Sequence, residues 1–295
     1  MRVAVIGARG QLGAAIVHQF GASHSVVPFD HSALEITDAA AVDASLSRAS
    51  PDVIVNCAAY NAVDAAEADP VAALEINALG VRTLARWAGG HGAALVHYST
   101  DFVFDGTATR PYSETDTPNP RSVYAASKLI GEWFALDAPR GYVLRVESLF
   151  GRAPDGPPAK GSVASIIAAL RSGAVARVFV DRTVSPTSVI DAASATRELV
   201  EGAFSPGLFH CVNTGACTWL ELAEYAAELL GVVPRLDPVK VADVALPAPR
   251  PQYCALSNDK LRALGINMPT WQESLQRHLA GLDRGDARKS PRHER

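Results

Sequence analysis

The chain has 295 residues, a formal net charge of −4, 48% hydrophobic residues and 20% charged residues. Such a composition is typical of a globular protein with one large domain or two moderate ones. Because the chain is mildly acidic and shows neither a signal peptide nor an apolar run of about 18 residues, we expect a cytoplasmic protein without nucleic-acid or membrane partners.

The chain opens with a short apolar run at residues 3–6, which predicts a buried parallel strand. Gly7, Gly10 and Gly13 follow, and residues 11–20 have a helical pattern. A strand that turns sharply into a helix brings backbone N–H groups and the positive end of the helix dipole to one point. Glycines allow a pyrophosphate to approach that backbone closely, so the turn is predicted to bind a nucleotide.

Strand and helix patterns then alternate through the first half of the chain. Strands are predicted at residues 25–29, 52–58, 94–100 and 142–150, and helices at 39–49, 70–88 and 123–137. This alternation predicts an α/β fold with a Rossmann-type, doubly wound parallel sheet. Ligands bind such sheets at the carboxyl ends of the strands, where residues 7–13, Asp30, residues 58–61 and residues 99–101 fall.

Tyr124 and Lys128 lie four residues apart in the helix predicted at 123–137. This spacing places a phenol and an ammonium on one helix face, about one turn apart. A cation beside a phenol stabilises the phenolate, so we expect a lowered pKa for Tyr124 and proton exchange with a carbonyl or alcohol oxygen.

Asn77, in the helix predicted at 70–88, is interpreted as a structural bridge between helix and strand ends.

The pattern changes after Gly151, where residues 152–161 are rich in proline and glycine. Helices are predicted at residues 162–172, 218–230, 258–264 and 270–282, and residues 234–251 are predicted to be irregular. We therefore expect an NAD(P)-binding domain over residues 1–150 and a smaller substrate-binding lobe over 151–281. Segments of this lobe are free to return to the sheet, and residues 282–295 are predicted to be a flexible tail.

The four cysteines and eight histidines show no metal-ligand spacing. There is no Cys-x-x-Cys, and Cys57 falls in a predicted buried strand, where a free thiol behaves as a small apolar group. A bound metal is therefore not predicted.

Taken together, these segments resemble the dTDP-4-dehydrorhamnose reductase family of the extended short-chain dehydrogenase/reductases, over about residues 1–280. The resemblance lies in residues 7–13, 34–38, 56–67, 99–106, 124–132, 207–215 and 247–253. The string Ser-Thr-Asp-Phe-Val-Phe-Asp-Gly at 99–106 is specific to these reductases, whereas the glycine turn and Tyr-x-x-x-Lys occur across the superfamily. The resemblance implies reduction of the 4-keto group of a nucleotide-linked 6-deoxyhexose.

The resemblance also implies roles for individual residues. Tyr124 is expected to be the general acid, Lys128 to lower its pKa and hold the nicotinamide ribose, and Thr100 to hydrogen-bond the reacting carbonyl. The implied substrate contacts are Asn61, Thr100, Asp101 and Ser148. The implied cofactor contacts are Gly7, Arg9, Gly10, Gln11, Leu12, Gly13, Asp30, Glu35, Ile36, Ala58, Ala59, Tyr60, Tyr124 and Lys128.

Two residues give opposite indications about the cofactor. Asp30, at the end of the second predicted strand, can accept hydrogen bonds from a ribose 2′-hydroxyl and favours NADH. Arg9, in the glycine turn, can pair with a 2′-phosphate and favours NADPH. The cofactor is therefore predicted to be NADPH or NADH.

The chain departs from the family at three places. Where these reductases usually have Arg-Thr-Ser-Trp, Glu147 adds an acid and Ser148 replaces a tryptophan expected to pack on the sugar. Arg182 stands in a stretch that usually carries Gln and Gly, and it either meets a diphosphate or is a surface charge. Ala15 replaces a glutamate that helps some relatives bind magnesium at a dimer contact. The identity of the sugar and any metal-dependent dimer therefore stay open.

Other functions within the superfamily are alternatives. A nucleotide-sugar epimerase or dehydratase is one, although a dehydratase commonly has Asp-Glu after the catalytic Thr and this chain has Asp101-Phe102. A non-catalytic NAD(P)-binding regulatory subunit is another, as a relative of these reductases serves for methionine adenosyltransferase. The expected partner is a nucleotide-sugar substrate, and the expected state is a monomer or homodimer.

Overall fold

A computed structural model describes the backbone of residues 1–289 and the side chains of residues 1–282. Its strands are β1 (Arg2–Ile6), β2 (Ser25–Phe29), β3 (Val53–Asn56), β4 (Ala94–Thr100), β5 (Gly141–Val146), β6 (Leu149–Phe150), β7 (Ala176–Phe179), β8 (Thr183–Val184), β9 (Thr187–Ser188), β10 (Gly207–His210), β11 (Cys217–Thr218) and β12 (Leu236–Val239). Six of them form a parallel sheet in the order β10-β5-β4-β3-β1-β2. The predicted doubly wound parallel sheet is confirmed.

Helices cover both faces of this sheet. They are α1 (Gln11–Gly21), α2 (Ala39–Ala49), α3 (Val63–Ala68), α4 (Pro70–Leu74), α5 (Val81–His91), α6 (Val123–Leu136), α7 (Ser162–Ser172), α8 (Val189–Glu201), α9 (Trp219–Leu230), α10 (Asp259–Ala263) and α11 (Trp271–Lys289). One face of the sheet packs on α1 and α8, through side chains such as Phe20 and Leu199. The opposite face packs on α2, α5 and α6, through Leu46, Leu84 and Ala135.

The second half of the chain returns to the sheet through β10 and α8. Neither of these two elements was predicted from the sequence. β10 has four residues and pairs with β5, and α8 lies beside α1. The buried face of α8 carries the polar residues Asp191 and Thr196, which obscure its apolar periodicity. Asp191 receives hydrogen bonds from Ser274 and Arg277 of α11, and these partners become visible only in the folded chain.

The remainder of the second half forms a smaller lobe around its own apolar cluster. Side chains of α7, α9 and α11 fill it, including Ile166, Leu222 and Leu275. The start of α9 is fixed by Thr218, whose side chain and that of Glu221 each bind the other residue's backbone N–H. α11 extends to Lys289, beyond its predicted end at 282, and the last part of the predicted tail, residues 290–295, lies outside the described residues.

The helix predicted over residues 70–88 is helical throughout, but it is not a single regular α-helix. A π-helical turn, Glu75–Gly80, separates α4 from α5. Within it the buried amide of Asn77 accepts a hydrogen bond from the backbone N–H of Tyr60 (2.8 Å), and donates to the Tyr60 carbonyl (3.0 Å) and to Ser127 Oγ (3.0 Å). Asn77 therefore bridges helix and strand ends as predicted, and the local widening of the helix is typical of functional regions.

A buried ion pair fastens α6 to the sheet. Glu132 and Arg145, whose side chains are each 2% exposed, form two hydrogen bonds of 2.8 and 2.7 Å. Ser99 of β4 donates a third to Glu132 (2.6 Å), and the guanidinium of Arg145 lies 4.9 Å from the centre of the Phe104 ring. Because every charged atom has a close partner, the pair is tolerated in the interior and fixes the helix against β4 and β5.

The described residues contain no helix that is both long enough and apolar enough to cross a bilayer.

We predict that Glu132→Gln lowers the free energy of unfolding by about 3–5 kcal/mol, because it leaves the Arg145 charge buried without a counter-charge. Urea denaturation followed by circular dichroism measures this change. The control is Asp237→Asn, which removes an ion pair with Arg177 whose side chains are 67% and 44% exposed, and which is expected to cost less than about 1 kcal/mol. Equal losses in the two variants would show that the buried pair does not hold α6.

Candidate active site

The turn between β1 and α1 has the close backbone packing that a dinucleotide site requires. Gly7 has φ +75°, and a Cβ there would lie 2.8 Å from the backbone nitrogen of Ala58. A Cβ on Gly13 would collide with the carbonyl oxygen of Gly7. α1 starts after Gly10, which provides no side-chain cap, so the first N–H groups of the helix are not occupied by a capping side chain. The turn therefore fits the pyrophosphate of a dinucleotide.

Gln11 joins this turn to the second lobe. Its Nε2 donates to the carbonyl oxygen of Gly151 (2.7 Å), and its Oε1 accepts from the backbone N–H of Lys160 (3.1 Å). These bonds hold both ends of the proline- and glycine-rich loop against the glycine turn. Gln11 thus has a structural role in addition to the cofactor contact predicted for it.

Arg9 and Asp30, which gave opposite indications about the cofactor, form an ion pair at the end of β2. Arg9 Nε lies 2.8 Å from Asp30 Oδ2, and the side chains are 85% and 16% exposed. Asp30 also accepts a hydrogen bond from Ser32 (2.6 Å), which is the main cause of its lowered pKa, so it is ionised. The Asp30 charge repels a 2′-phosphate, and the exposed Arg9 is positioned to attract one. Either reduced cofactor is compatible with this arrangement.

Glu35 and Ile36 lie beyond Asp30 and away from the central cavity. Glu35 accepts hydrogen bonds from the backbone and the hydroxyl of Thr37 (3.1 and 2.9 Å), and Ile36 is buried in the core. Their contact with the adenine stays a prediction.

Three predicted residues meet where β4 ends and α6 begins. Thr100 is the last residue of β4, and its Oγ1 donates to Asp101 Oδ1 (2.8 Å). Ser122 caps α6 by accepting from the N–H of Ala125 (3.2 Å), which places Tyr124 in the first turn of the helix. The Tyr124 and Thr100 side chains are neighbours that line one cavity, so the strand end and the helix start present two hydroxyl groups together.

The expected lowering of the Tyr124 pKa is wrong. Burial and the nearby Asp101 carboxylate raise the pKa of Tyr124, and only the neighbouring Thr100 side chain acts to lower it. Lys128 is not among the causes of the shift, and its ammonium donates to the carbonyl oxygen of Tyr98 (2.6 Å). The phenol is therefore held in its neutral form, which is the form that a general acid must have at the start of a reaction.

Lys128 is itself buried, and this changes its charge behaviour. Burial lowers its pKa from 10.5 to about 8, while the nearby Glu132 and Cys57 oppose the change. Its Nζ also lies 3.5 Å from Nε2 of His97, a ring that burial and the Lys128 charge keep neutral by lowering its pKa. The ammonium is thus held by one strong hydrogen bond at the floor of the cleft.

A cavity of about 530 Å³ lies over these groups. It brings together most of the predicted site: Gly10, Gln11, Leu12, Gly13, Ala58, Ala59, Asn61, Thr100, Asp101, Tyr124, Lys128 and Ser148. It does not include Gly7, Arg9, Asp30, Glu35, Ile36 and Tyr60. Tyr60 offers its backbone to Asn77 instead.

Arg182 is buried, so its interpretation as a surface charge is wrong. It lines the cavity, and its guanidinium donates to the carbonyl oxygen of Pro251 (3.1 Å) and to Cys254 Sγ (3.6 Å). A second cavity of about 490 Å³ adjoins the first and shares Gly161, Ser162, Arg182 and Trp219 with it. A cation at this junction suits the phosphates of a ligand that extends from one cavity into the other.

The cavity also contains residues that were not assigned to the site from the sequence. They include Phe102, Glu147, Lys160, Ser162, Val163, Trp219 and Arg250. The substitution at Glu147 was a signal in the sequence, since an acid stands where the family has Ser. Arg250 lies in the segment 247–253 that carried the family resemblance, and it pairs with Asp64 at 2.8 Å. For Trp219 and Val163 no sequence signal distinguishes a cavity position from a core position.

Comparisons with known proteins agree with this geometry. Residues 1–284 match the family model described as RmlD substrate binding domain. A probable dTDP-4,6-dihydroxy-2-methyloxan-3-one 4-ketoreductase of Streptomyces antibioticus is 36% identical to this chain over 94% of each protein. The dTDP-4-dehydrorhamnose reductase of Sinorhizobium fredii is 33% identical over 96% of this chain and 98% of its own length.

The same similarity appears among solved structures. The dTDP-4-dehydrorhamnose reductase of Bacillus anthracis, in complex with NADP, superposes with a TM-score of 0.88 at 32% identity, covering 95% of this chain and 99% of the other. The resemblance seen in the sequence is confirmed over nearly the whole chain.

We predict that Asp30→Ala shifts the ratio of dissociation constants by about tenfold in favour of NADPH over NADH, because it removes the repulsive carboxylate and releases Arg9. Titration of protein fluorescence with each reduced cofactor measures the ratio. Asp38→Asn, which alters a nearby carboxylate that caps α2, is the control and is expected to leave the ratio unchanged. An unchanged ratio in Asp30→Ala would mean that another group discriminates the 2′-position.

We also predict that kcat/KM for the cofactor falls as the pH rises through about 8, since Lys128 is charged below its pKa and neutral above it. Lys128→Arg keeps the positive charge at high pH and is expected to abolish this decrease, even if the absolute rate is lower. Initial rates between about pH 6 and pH 10 test this. A decrease at the same pH in both proteins would assign the titration to another group.

Proposed function

The chain belongs to the RmlD substrate binding domain family, and on this premise we propose that it reduces the 4-keto group of a nucleotide-linked 6-deoxyhexose with NADPH or NADH. The observation that carries the proposal is that Thr100, Tyr124 and Lys128 line the same cavity as the glycine turn of residues 10–13. Two hydroxyl donors converging on one point are suited to a carbonyl oxygen that gains charge and then a proton.

The residues of the chain supply binding, alignment and one proton. The reduced nicotinamide cofactor, when bound, provides the hydride. Thr100 donates a hydrogen bond to the ketone oxygen and orients it, which requires it to turn from Asp101 to the substrate. Tyr124 transfers its proton to the same oxygen as negative charge develops there, so the ketone becomes a secondary alcohol. Lys128 stays on the cofactor side, where its ammonium is placed for the ribose hydroxyls.

The second cavity supports a nucleotide as the remainder of the substrate. Arg182 at the junction provides a charge for a diphosphate, and Phe179 and Trp219 provide apolar and aromatic surface for a base and sugar. Both relatives named above carry dTDP in their names, so we propose a dTDP-sugar.

The identity of the sugar is less constrained than the reaction. Ser148 and Glu147 replace residues usual in the rhamnose reductases, and the Streptomyces relative is named for a different 4-keto sugar. That sugar, a 4,6-dihydroxy-2-methyloxan-3-one, keeps a hydroxyl next to the ketone. A 4-keto-2,6-dideoxy sugar is therefore the second candidate substrate.

Two other functions have less support. An epimerase or dehydratase of the superfamily shares this fold, but Phe102 occupies the position where a dehydratase commonly has its second acid. A regulatory subunit does not require Tyr124 and Thr100 to lie together, and here the two side chains are buried neighbours in one cavity. Cytoplasmic location and a monomeric or homodimeric state stay predictions.

The function is tested by incubating the protein with dTDP-4-keto-6-deoxyhexose and each reduced cofactor, and following loss of the nicotinamide absorbance. We expect oxidation of the cofactor that depends on the sugar, and a product heavier than the substrate by two hydrogen atoms in mass spectrometry. No oxidation with either cofactor would contradict the proposal.

We predict that Tyr124→Phe lowers turnover by about 10²-fold or more while the dissociation constant of the cofactor stays nearly unchanged, because the variant loses only the proton donor. Tyr142→Phe is the matched control. It removes a hydroxyl that donates to the carbonyl of Phe204 (2.6 Å) and does not line the cavity, so we expect nearly normal turnover. If Tyr124→Phe turns over as fast as the control, Tyr124 is not the general acid.

A further inference from the structure

Glu147 is a buried acid in which one of the two carboxyl oxygens has no hydrogen-bond partner. It follows β5 directly, is 2% exposed and lines the cavity that holds Tyr124. Its Oε2 accepts a hydrogen bond from the backbone N–H of Ser185 (2.7 Å), whereas its Oε1 is buried without a hydrogen-bond partner. A buried carboxyl oxygen without a partner is costly, so a ligand that provides one is expected at this point.

A second carboxyl group faces the same gap. Ligand atoms of Asp101, Glu147 and Cys254 all lie within 4.8 Å of one another. Asp101 uses Oδ1 to accept from Thr100 (2.8 Å), and Thr100 lies beside Tyr124 in the same cavity. The gap between the two acids is therefore one hydrogen bond away from the hydroxyl group proposed to hold the ketone.

The charges in this cluster favour one protonated carboxyl group over a metal ion. Burial and the neighbouring Asp101 raise the pKa of Glu147, and burial raises that of Asp101. Burial also raises the pKa of Cys254, so its thiol stays neutral, and the Arg182 guanidinium donates to its sulfur. One carboxyl can then donate a hydrogen bond while the other accepts one.

The backbone next to Glu147 is held in an unusual conformation. Ser148 has φ +44°, in the left-handed region that a non-glycine residue rarely adopts. Such strain persists where surrounding contacts fix the chain, and it is concentrated at binding and catalytic sites. Here the contact between Glu147 and Ser185 fixes the acid in the cavity wall.

We propose that Asp101 and Glu147 together bind one hydroxyl group of the sugar, on the ring carbon next to the ketone, and so select 4-keto sugars that carry this hydroxyl. The inference rests on the proposed function and extends it to a residue that this chain does not share with the usual family pattern. The hydroxyl donates to one carboxyl group and accepts from the other.

The two acids are close enough for one hydroxyl to reach both. Two oxygen atoms that each hydrogen-bond one hydroxyl at about 2.7 Å lie roughly 4.4 Å apart when the angle between the bonds is tetrahedral. This separation is within the 4.8 Å limit of the cluster. The position next to the ketone follows because Asp101 and the ketone share Thr100 as a neighbour.

Three dTDP-4-keto-6-deoxy sugars test the proposal: the fully hydroxylated sugar, its 3-deoxy analogue and its 2-deoxy analogue. The 3-deoxy analogue lacks the hydroxyl next to the ketone, whereas the 2-deoxy analogue keeps it and serves as the control. We expect kcat/KM for the 3-deoxy analogue to be lower by on the order of 10²-fold, because the two acids lose the hydroxyl group that bridges them. The 2-deoxy analogue is expected to show no comparable loss.

Variants of Glu147 locate the effect. Glu147→Leu is expected to reduce the preference for the hydroxylated over the 3-deoxy sugar to about tenfold or less. Glu147→Gln is expected to retain most of the preference, since its amide can accept from Ser185 and still donate to a hydroxyl. Because Glu147→Gln has nearly the same shape, it also tests the proposal if Glu147→Leu does not fold.

Distinct results separate a failure of this inference from a failure of the proposed function. If none of the three sugars is reduced, the proposed function is wrong. If all three are reduced with equal kcat/KM, or if Glu147→Leu keeps the full preference, only the hydroxyl contact is wrong. A stoichiometric metal in the purified protein that is lost in Glu147→Gln would also overturn it, because the cluster would then be a metal site.

Discussion

The buried pair between Glu132 and Arg145 determines where the reactive groups lie. Glu132 is two turns along α6 from Tyr124 and one turn from Lys128, and its partners come from β5 and, through Ser99, from β4. These strands end in Thr100 and lead into Glu147. One fully satisfied charge pair therefore sets the distance between the helix that carries the phenol and the strand ends that receive the substrate. The buried ion pair is thus connected by hydrogen bonds to the cleft, since Ser99 both binds Glu132 and lines the cavity.

Burial also sets the protonation states in the cleft. The same low polarity keeps Tyr124 neutral, lowers the pKa of Lys128 to about 8 and raises the pKa of Glu147. The proposed reduction needs a neutral phenol and a charged amine near neutral pH, and the pKa values of the buried Tyr124 and Lys128 are consistent with both states. The proposed role of Lys128 is on the cofactor side of the cleft, and Thr100, not the ammonium, is the group that lowers the pKa of Tyr124 against the effect of burial.

Features that depend on short stretches of chain were predictable from the sequence. The glycine turn, the bounds of α2 and α7 and the pairing of Tyr124 with Lys128 on one helix face follow from local periodicity and turn chemistry. Features that depend on distant partners were not. The π-helical turn exists because Asn77 binds Tyr60 and Ser127, and Arg182 is buried because Pro251 and Cys254 surround it. Helix α8 was missed because polar residues on its buried face are satisfied by α11.

The central claim is that the ketone of a nucleotide sugar and the nicotinamide ring meet at Thr100 and Tyr124. A crystal structure of the ternary complex with oxidised cofactor and the nucleotide-sugar alcohol tests it most directly. We expect the new hydroxyl of the product within hydrogen-bond distance of both residues, with the nicotinamide ring on the opposite side of its carbon. A sugar bound with this hydroxyl away from Tyr124, or a nicotinamide ring outside the cavity, would contradict the account.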